Sequence, residues 1–172
     1  SAWRLIGHRL THLLRANTRA GSKRNIEAHY DLGNDFYRLW LDPSMTYSSA
    51  LHLAPDEPLE DAQRRKYRNI LDQLGAQPGQ IILEIGCGWG GFAEVAITEY
   101  GCRVFGLTLS REQLAWARQR AEDGGWADQV NFELCDYRDV RGQYDHIVSI
   151  EMLEAVGERF WPGYFAQLRA RL

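Results

Sequence analysis

Residues Glu84-Ile85-Gly86-Cys87-Gly88-Trp89-Gly90-Gly91 place a carboxylate, closely spaced glycines and a bulky ring at the end of an apolar run, Ile81 to Ile85. Glycines after a buried strand let the backbone turn tightly and come close to a ligand. Gly86, Gly88 and Gly91 also satisfy the dinucleotide GxGxxG spacing, and glycines can simply close a turn, so the cluster alone is only moderately specific. Three details separate the readings. Glu84 stands two residues before the first glycine, where it can hydrogen-bond the amino group of an amino-acid moiety. Trp89 inside the loop suits a ligand with no pyrophosphate to cradle. The next apolar run ends at Leu107-Thr108, with no acid to grip a ribose diol as nicotinamide enzymes do. Many methyltransferases also carry an acid there, but Thr108 and Gln113 offer neutral hydrogen bonds instead. Further on, Asp136-Tyr137 supplies an acceptor for an adenine amino group beside an aromatic face. Together these residues point to S-adenosylmethionine and away from a nicotinamide cofactor.

Such residues work only if strands deliver them to one edge. Strands are expected at Ile81–Ile85, Arg103–Leu107, Val130–Leu134 and His146–Ile150. Helices are expected from Leu59 to near Gly75, from Gly91 to about Tyr100, from an N-cap at Ser110 to about Asp123, and over Trp161–Leu172. This alternation implies βαβ units and a right-handed parallel sheet. The expected fold is therefore α/β: a class I methyltransferase, Rossmann-like parallel sheet represented by its first four strands. The chain stops where a fifth strand should begin, so the C-terminal part of the fold is expected to be missing.

Residues 25–55 are rich in rings and turn formers, including Tyr30, Phe36, Tyr37, Pro43 and Tyr47, and read as an ordered cap at the start of the 25–172 core. Residues 1–24 differ. Arg4, Arg9, Arg15, Arg19, Lys23 and Arg24 meet no acid there, and Trp3, Ile6, Leu10, Leu13 and Leu14 recur at helical spacing. A basic amphipathic helix of this kind can lie on an anionic lipid surface or pack on a neighbouring domain. It lacks a base-reading motif, so no nucleic-acid partner is expected. Apolar residues at 45% and charged residues at 25% suit a globular chain of 172 residues. Cys87, Cys102 and Cys135 are too scattered for a disulfide framework or a metal site and are expected to be reduced cytosolic thiols.

Several segments occur together in one order: His29-Tyr30-Asp31-Leu32-Gly33-Asn34-Asp35-Phe36-Tyr37, Thr46-Tyr47-Ser48-Ser49-Ala50, the glycine cluster, Gly106 to Gln113, Asp136 to Asp139 and Glu151 to Gly157. In this the chain resembles the cyclopropane-fatty-acyl-phospholipid synthase family, which includes mycolic acid cyclopropane synthases and related lipid methyltransferases. The resemblance covers roughly residues 23–172, and residues 1–22 resemble the end of an extra N-terminal domain. It implies that Tyr47 and Ser48 close over the cofactor and that Gly86, Gly88 and Gly90 face its methionine part. It further implies Thr108 and Gln113 at the ribose and Asp136 with Tyr137 at the adenine. Glu154 matches the family glutamate that helps hold a bicarbonate ion near the transferred methyl group.

The implied activity is S-adenosylmethionine-dependent transfer to the cis double bond of an unsaturated acyl chain of a membrane phospholipid, giving a cyclopropane. The implied location is cytoplasmic, peripheral at the inner face of the membrane, and a homodimer is left open. Ser49 stands where many cyclopropane synthases have Cys at the bicarbonate site, and the family's downstream His and Tyr would lie beyond residue 172. A methyl-branched product therefore competes with the cyclopropane. The residues also admit a small-molecule methyltransferase, a non-catalytic cofactor-binding module and, more remotely, a nicotinamide oxidoreductase.

Overall fold

The run Ile81 to Ile85 lacks polar alternation, as a strand covered on both faces requires, and it forms β1 (Ile81–Ile85) inside a four-stranded sheet. The computed structural model describes residues 33–172; the basic segment 1–24 and the stretch His29 to Leu32 lie outside the described residues. Around β1 stand β2 (Arg103–Thr108), β3 (Val130–Leu134) and β4 (His146–Val148), in the order β3-β2-β1-β4. All pairings are parallel, with Leu83 flanked by Phe105 and Ile147. Parallel pairing gathers the carboxyl ends of the strands, and the residues that follow them, at one edge of the sheet.

Among the described residues the α-helices are α1 (Asn34–Tyr37), α2 (Leu59–Leu74), α3 (Gly91–Thr98), α4 (Arg111–Asp123), α5 (Leu153–Val156) and α6 (Trp161–Arg169). Gly75 ends α2 in the left-handed conformation (φ 64°) that glycine adopts without a steric penalty. Ser110 caps α4, its hydroxyl accepting from the Gln113 amide at 3.2 Å.

Strand residues alternate between two cores. Ile82, Val104, Phe132 and Val148 face one side and pack with Leu71 of α2, Phe92 of α3 and Ala117 of α4. Leu83, Ile85 and Leu107 face the other, with Tyr137, Val140, Val156 and Tyr164. Apolar contacts on both faces make the sheet doubly wound. A third cluster, Tyr37, Met45 and Trp89, seats the cap on the glycine loop.

Two expected boundaries are corrected, and the first is the end of α6, which closes at Arg169 rather than Leu172. β4 ends at Val148 rather than Ile150. Glu151 adopts φ 50°, a left-handed conformation costly for a side chain with a Cβ, so the chain has already left the ladder there.

Candidate functional site

A cavity of about 860 Å³ opens at the carboxyl edge of the sheet, between the strand ends and the cap. Its floor is the loop after β1. Gly86, Gly88 and Gly90 have φ of 85°, 53° and 85°, so these three positions of the loop disfavour any residue with a Cβ. Gly88 lines the cavity, and a Cβ there would meet nothing within 4 Å, which leaves the backbone open to a ligand. Gly90 does a different job. It does not line the cavity, and a Cβ on it would come within 3.2 Å of the Phe132 ring and 3.3 Å of Ala117.

Glu84 is the most unusual group in this floor. The residue is 4% exposed, and its Oε2 has no hydrogen-bond partner among the described residues. Burial pushes its carboxyl well above the usual carboxylate range. A buried acceptor left unpaired at a cavity wall is costly unless a ligand donor meets it. An ammonium group is the donor that this carboxyl fits best, because a positive neighbour would also restore its charge. The methionine amino group of S-adenosylmethionine meets that requirement, so the residues present fit this cofactor.

At the end of β2, Thr108 donates through Oγ1 to Gln113 Oε1 at 2.8 Å and accepts from the Ser110 amide at 3.1 Å. Both Thr108 and Gln113 are buried and line the cavity, as does Tyr137. Asp136 does not line it. Its carboxylate is gripped by Arg138, with Nε at 2.8 Å from Oδ1 and a terminal nitrogen at 2.5 Å from Oδ2.

The roof is the cap. Asp42 closes its turn by accepting from the Ser44 and Thr46 amides, and Thr46 Oγ1 lies 2.9 Å from the Tyr67 hydroxyl on α2. Trp89 donates from Nε1 to Asn34 Oδ1 at 2.7 Å, and Arg120 reaches the Ser44 carbonyl at 2.6 Å. Tyr37, Trp40, Tyr47 and Trp89 form a ring cluster with centroids 5.1 to 5.8 Å apart. Tyr47 and Ser48 line the cavity from this side.

Glu154, in the first turn of the four-residue α5, is exposed and does not line the cavity. Glu151, three residues earlier, does. Its Oε1 accepts from the Ser49 amide at 2.8 Å and from the Ser49 hydroxyl at 2.5 Å. Those bonds, and then the Lys66 charge, hold the Glu151 carboxyl below its ordinary range. Lys66 Nζ donates to Ser48 Oγ at 2.5 Å, Ser49 O at 2.9 Å and Gln63 Oε1 at 2.7 Å, and burial lowers its pKa to about 8. Sequence reasoning missed Glu151, Lys66 and Gln63. A second acid beside Glu154 was the only signal for the first; Lys66 follows Arg64 and Arg65 and reads as part of a solvated helix face.

Comparison with known proteins gives consistent matches. The family profile described as mycolic acid cyclopropane synthetase matches residues 17–172. The chain is 48% identical over 159 residues to tuberculostearic acid methyltransferase of Mycobacterium tuberculosis, covering 88% of this chain and 37% of that protein. It is 44% identical over 138 residues to cyclopropane-fatty-acyl-phospholipid synthase of Escherichia coli strain K12, covering 80% and 35%. Among solved structures, a mycolic acid cyclopropane synthase complexed with SAH and CTAB superposes with a TM-score of 0.83 at 36% identity, over 87% of this chain and 53% of that one. The chain thus spans only about a third of the length of these curated relatives.

Proposed function

This chain belongs to the mycolic acid cyclopropane synthetase family, and from that premise we propose that it methylates the cis double bond of an unsaturated acyl chain of a membrane phospholipid. S-adenosylmethionine, when bound, supplies an electrophilic methyl group. The single observation that carries the reading is the buried Glu84 carboxyl at the cavity wall, whose Oε2 has no partner among the described residues; a similar mycolic acid cyclopropane synthase is solved with SAH.

Each wall of the cavity has a part in this chemistry. Glu84 anchors an ammonium group, Gly88 lets the backbone approach, and Thr108 with Gln113 offers neutral hydrogen bonds to a ribose. Tyr137 supplies an aromatic face for the adenine. Tyr47 and Ser48 cover the site, and the rings of Tyr47 and Trp40 can face positive charge that develops on the acyl chain. An alkene is a weak nucleophile, so alignment in a site shielded from water must supply much of the acceleration.

Two products fit. Ring closure to a cyclopropane uses a base to take a proton from the new methyl group, and bicarbonate beside Ser49 and Glu154 is that base in the family-based reading. Methyl branching is the second reading, favoured by Ser49 and by the 48% identity to a tuberculostearic acid methyltransferase. Contact with a membrane surface is supported by the cap, which leaves Leu39 at 81% and Leu53 at 77% exposed beside half-exposed Trp40. Among the described residues no helix is long and apolar enough to cross a membrane.

The full-length protein, given S-adenosylmethionine and anionic vesicles with cis-monounsaturated chains, is expected to add one CH2 to the lipid by mass spectrometry. Proton NMR then assigns the product: ring protons mean cyclopropanation, and a retained olefin or methylene means branching. No mass gain would remove the lipid substrate from the proposal.

A further inference from the structure

We infer that Glu151 is this chain's own proton acceptor, held in place by Ser49 and Lys66, so that the reaction needs no exogenous base. The inference rests on the alkene-methylation reading above and names the group that completes it.

Four observations converge on Glu151. It lines the cavity, whereas Glu154 does not. Both Ser49 bonds fall on one carboxylate oxygen, Oε1, and Oε2 makes no hydrogen bond among the described residues. The carboxylate is thus anchored through one oxygen and open at the other. Its backbone is held at φ 50°, a conformation that a side chain with a Cβ enters only when its surroundings enforce it. Finally, Lys66 ties Ser48, Ser49 and Gln63 into one hydrogen-bonded unit behind the anchor, so the carboxylate sits on a fixed support.

The step balances without an outside reagent. Methyl transfer leaves one positive charge on the acyl chain. Glu151 Oε2 takes one proton from a carbon next to that charge or from the new methyl group, forming an O–H bond. The released C–H pair closes a C=C bond or a ring, and the acyl chain becomes neutral. Glu151 then returns its proton to water through the cavity mouth. Lys66 and Ser49 are positioning residues here.

The test uses the full-length protein in bicarbonate-free buffer, with E151Q and E151A variants. Gln can keep the bonds from Ser49 but cannot take a proton. Wild type is expected to turn over without bicarbonate. E151Q should lose roughly 100-fold or more of that rate while its calorimetric affinity for S-adenosylhomocysteine stays within about twofold and its melt is unchanged. E151A should recover activity with added formate, which fits the space the side chain leaves. E151Q at the wild-type rate overturns the assignment, as does a wild type that stops without bicarbonate. Parallel loss of ligand affinity and rate in E151Q also overturns it, because Glu151 would then be a strut. A wild type with no turnover in any buffer refutes the alkene-methylation reading itself, and this inference with it.

Discussion

At the scale of single residues, Glu84 makes the most direct claim on a ligand. Its buried carboxyl holds its proton to a higher pH than an exposed glutamate does, and its second oxygen lacks a partner among the described residues. An incoming ammonium group favours the ionised form, so binding of S-adenosylhomocysteine must expel that proton. The sign follows from linkage: the free protein binds more protons than the complex, so affinity rises with pH until Glu84 is ionised without ligand. Calorimetry of the full-length protein in buffers of different ionisation enthalpy should show release of up to one proton. E84Q should abolish that release and weaken binding by about 1.5–3 kcal/mol, the range for a hydrogen bond involving a charged group. Binding enthalpy independent of buffer would show that Glu84 does not meet the ligand.

At the scale of elements, the floor of the site depends on how closely β2 and β3 pack beneath the glycine loop. A Cβ on Gly106 of β2 would lie 2.6 Å and 2.8 Å from ring carbons of Phe132 and 3.0 Å from Cys87 Cβ. Phe132 is itself 2% exposed and packs edge-on against Trp126, so it has little room to yield. G106A should therefore destabilise the fold by about 1–3 kcal/mol, read as a lower urea midpoint at an unchanged m-value. Gly90 is constrained in the same way from above by Phe132 and Ala117. The resemblance groups Gly86, Gly88 and Gly90 as one ligand-facing set; packing divides them, with Gly88 open to the cavity and Gly90 closing the joint between loop and sheet.

At the scale of the whole molecule, Arg120 is one of several side chains that join cap to core. Arg120 on α4 bonds Glu94 Oε2 at 2.5 Å, the Ser44 carbonyl at 2.6 Å and the Trp89 carbonyl at 3.4 Å. It is well covered, at 17% side-chain exposure, so these bonds are only partly screened by water. R120M should cost roughly 1.5–3 kcal/mol and loosen the cap before the core. Limited proteolysis should then cut faster between residues 38 and 58 while fragments that contain the sheet persist. Uniform cleavage across the chain would mean that cap and core unfold together, with Arg120 no more than one bond among many.

The sequence by itself determined the fold class and most of the floor of the site. Apolar runs of strand length, glycines after the first of them and a serine at the start of a helical period act locally, through backbone sterics and short-range hydrogen bonds. Such signals are readable wherever they occur. Ser110 therefore caps α4 as expected, Glu84 and Gly88 reach the cavity, and the four strands fall in place apart from the end of β4. Tertiary structure alone decided which acid faces the cavity. Glu151 and Glu154 lie three residues apart in sequence, and their exposure to the site depends on where β4 leaves the ladder and on a partner, Ser49, 102 residues away. Lys66 was equally hidden, because a lysine in a charged helical stretch reads as solvated until the cap folds over it and burial lowers its pKa to about 8. Strand and turn signals are carried by neighbours along the chain, whereas the electrostatics of this site are set by contacts that exist only once cap and sheet have met.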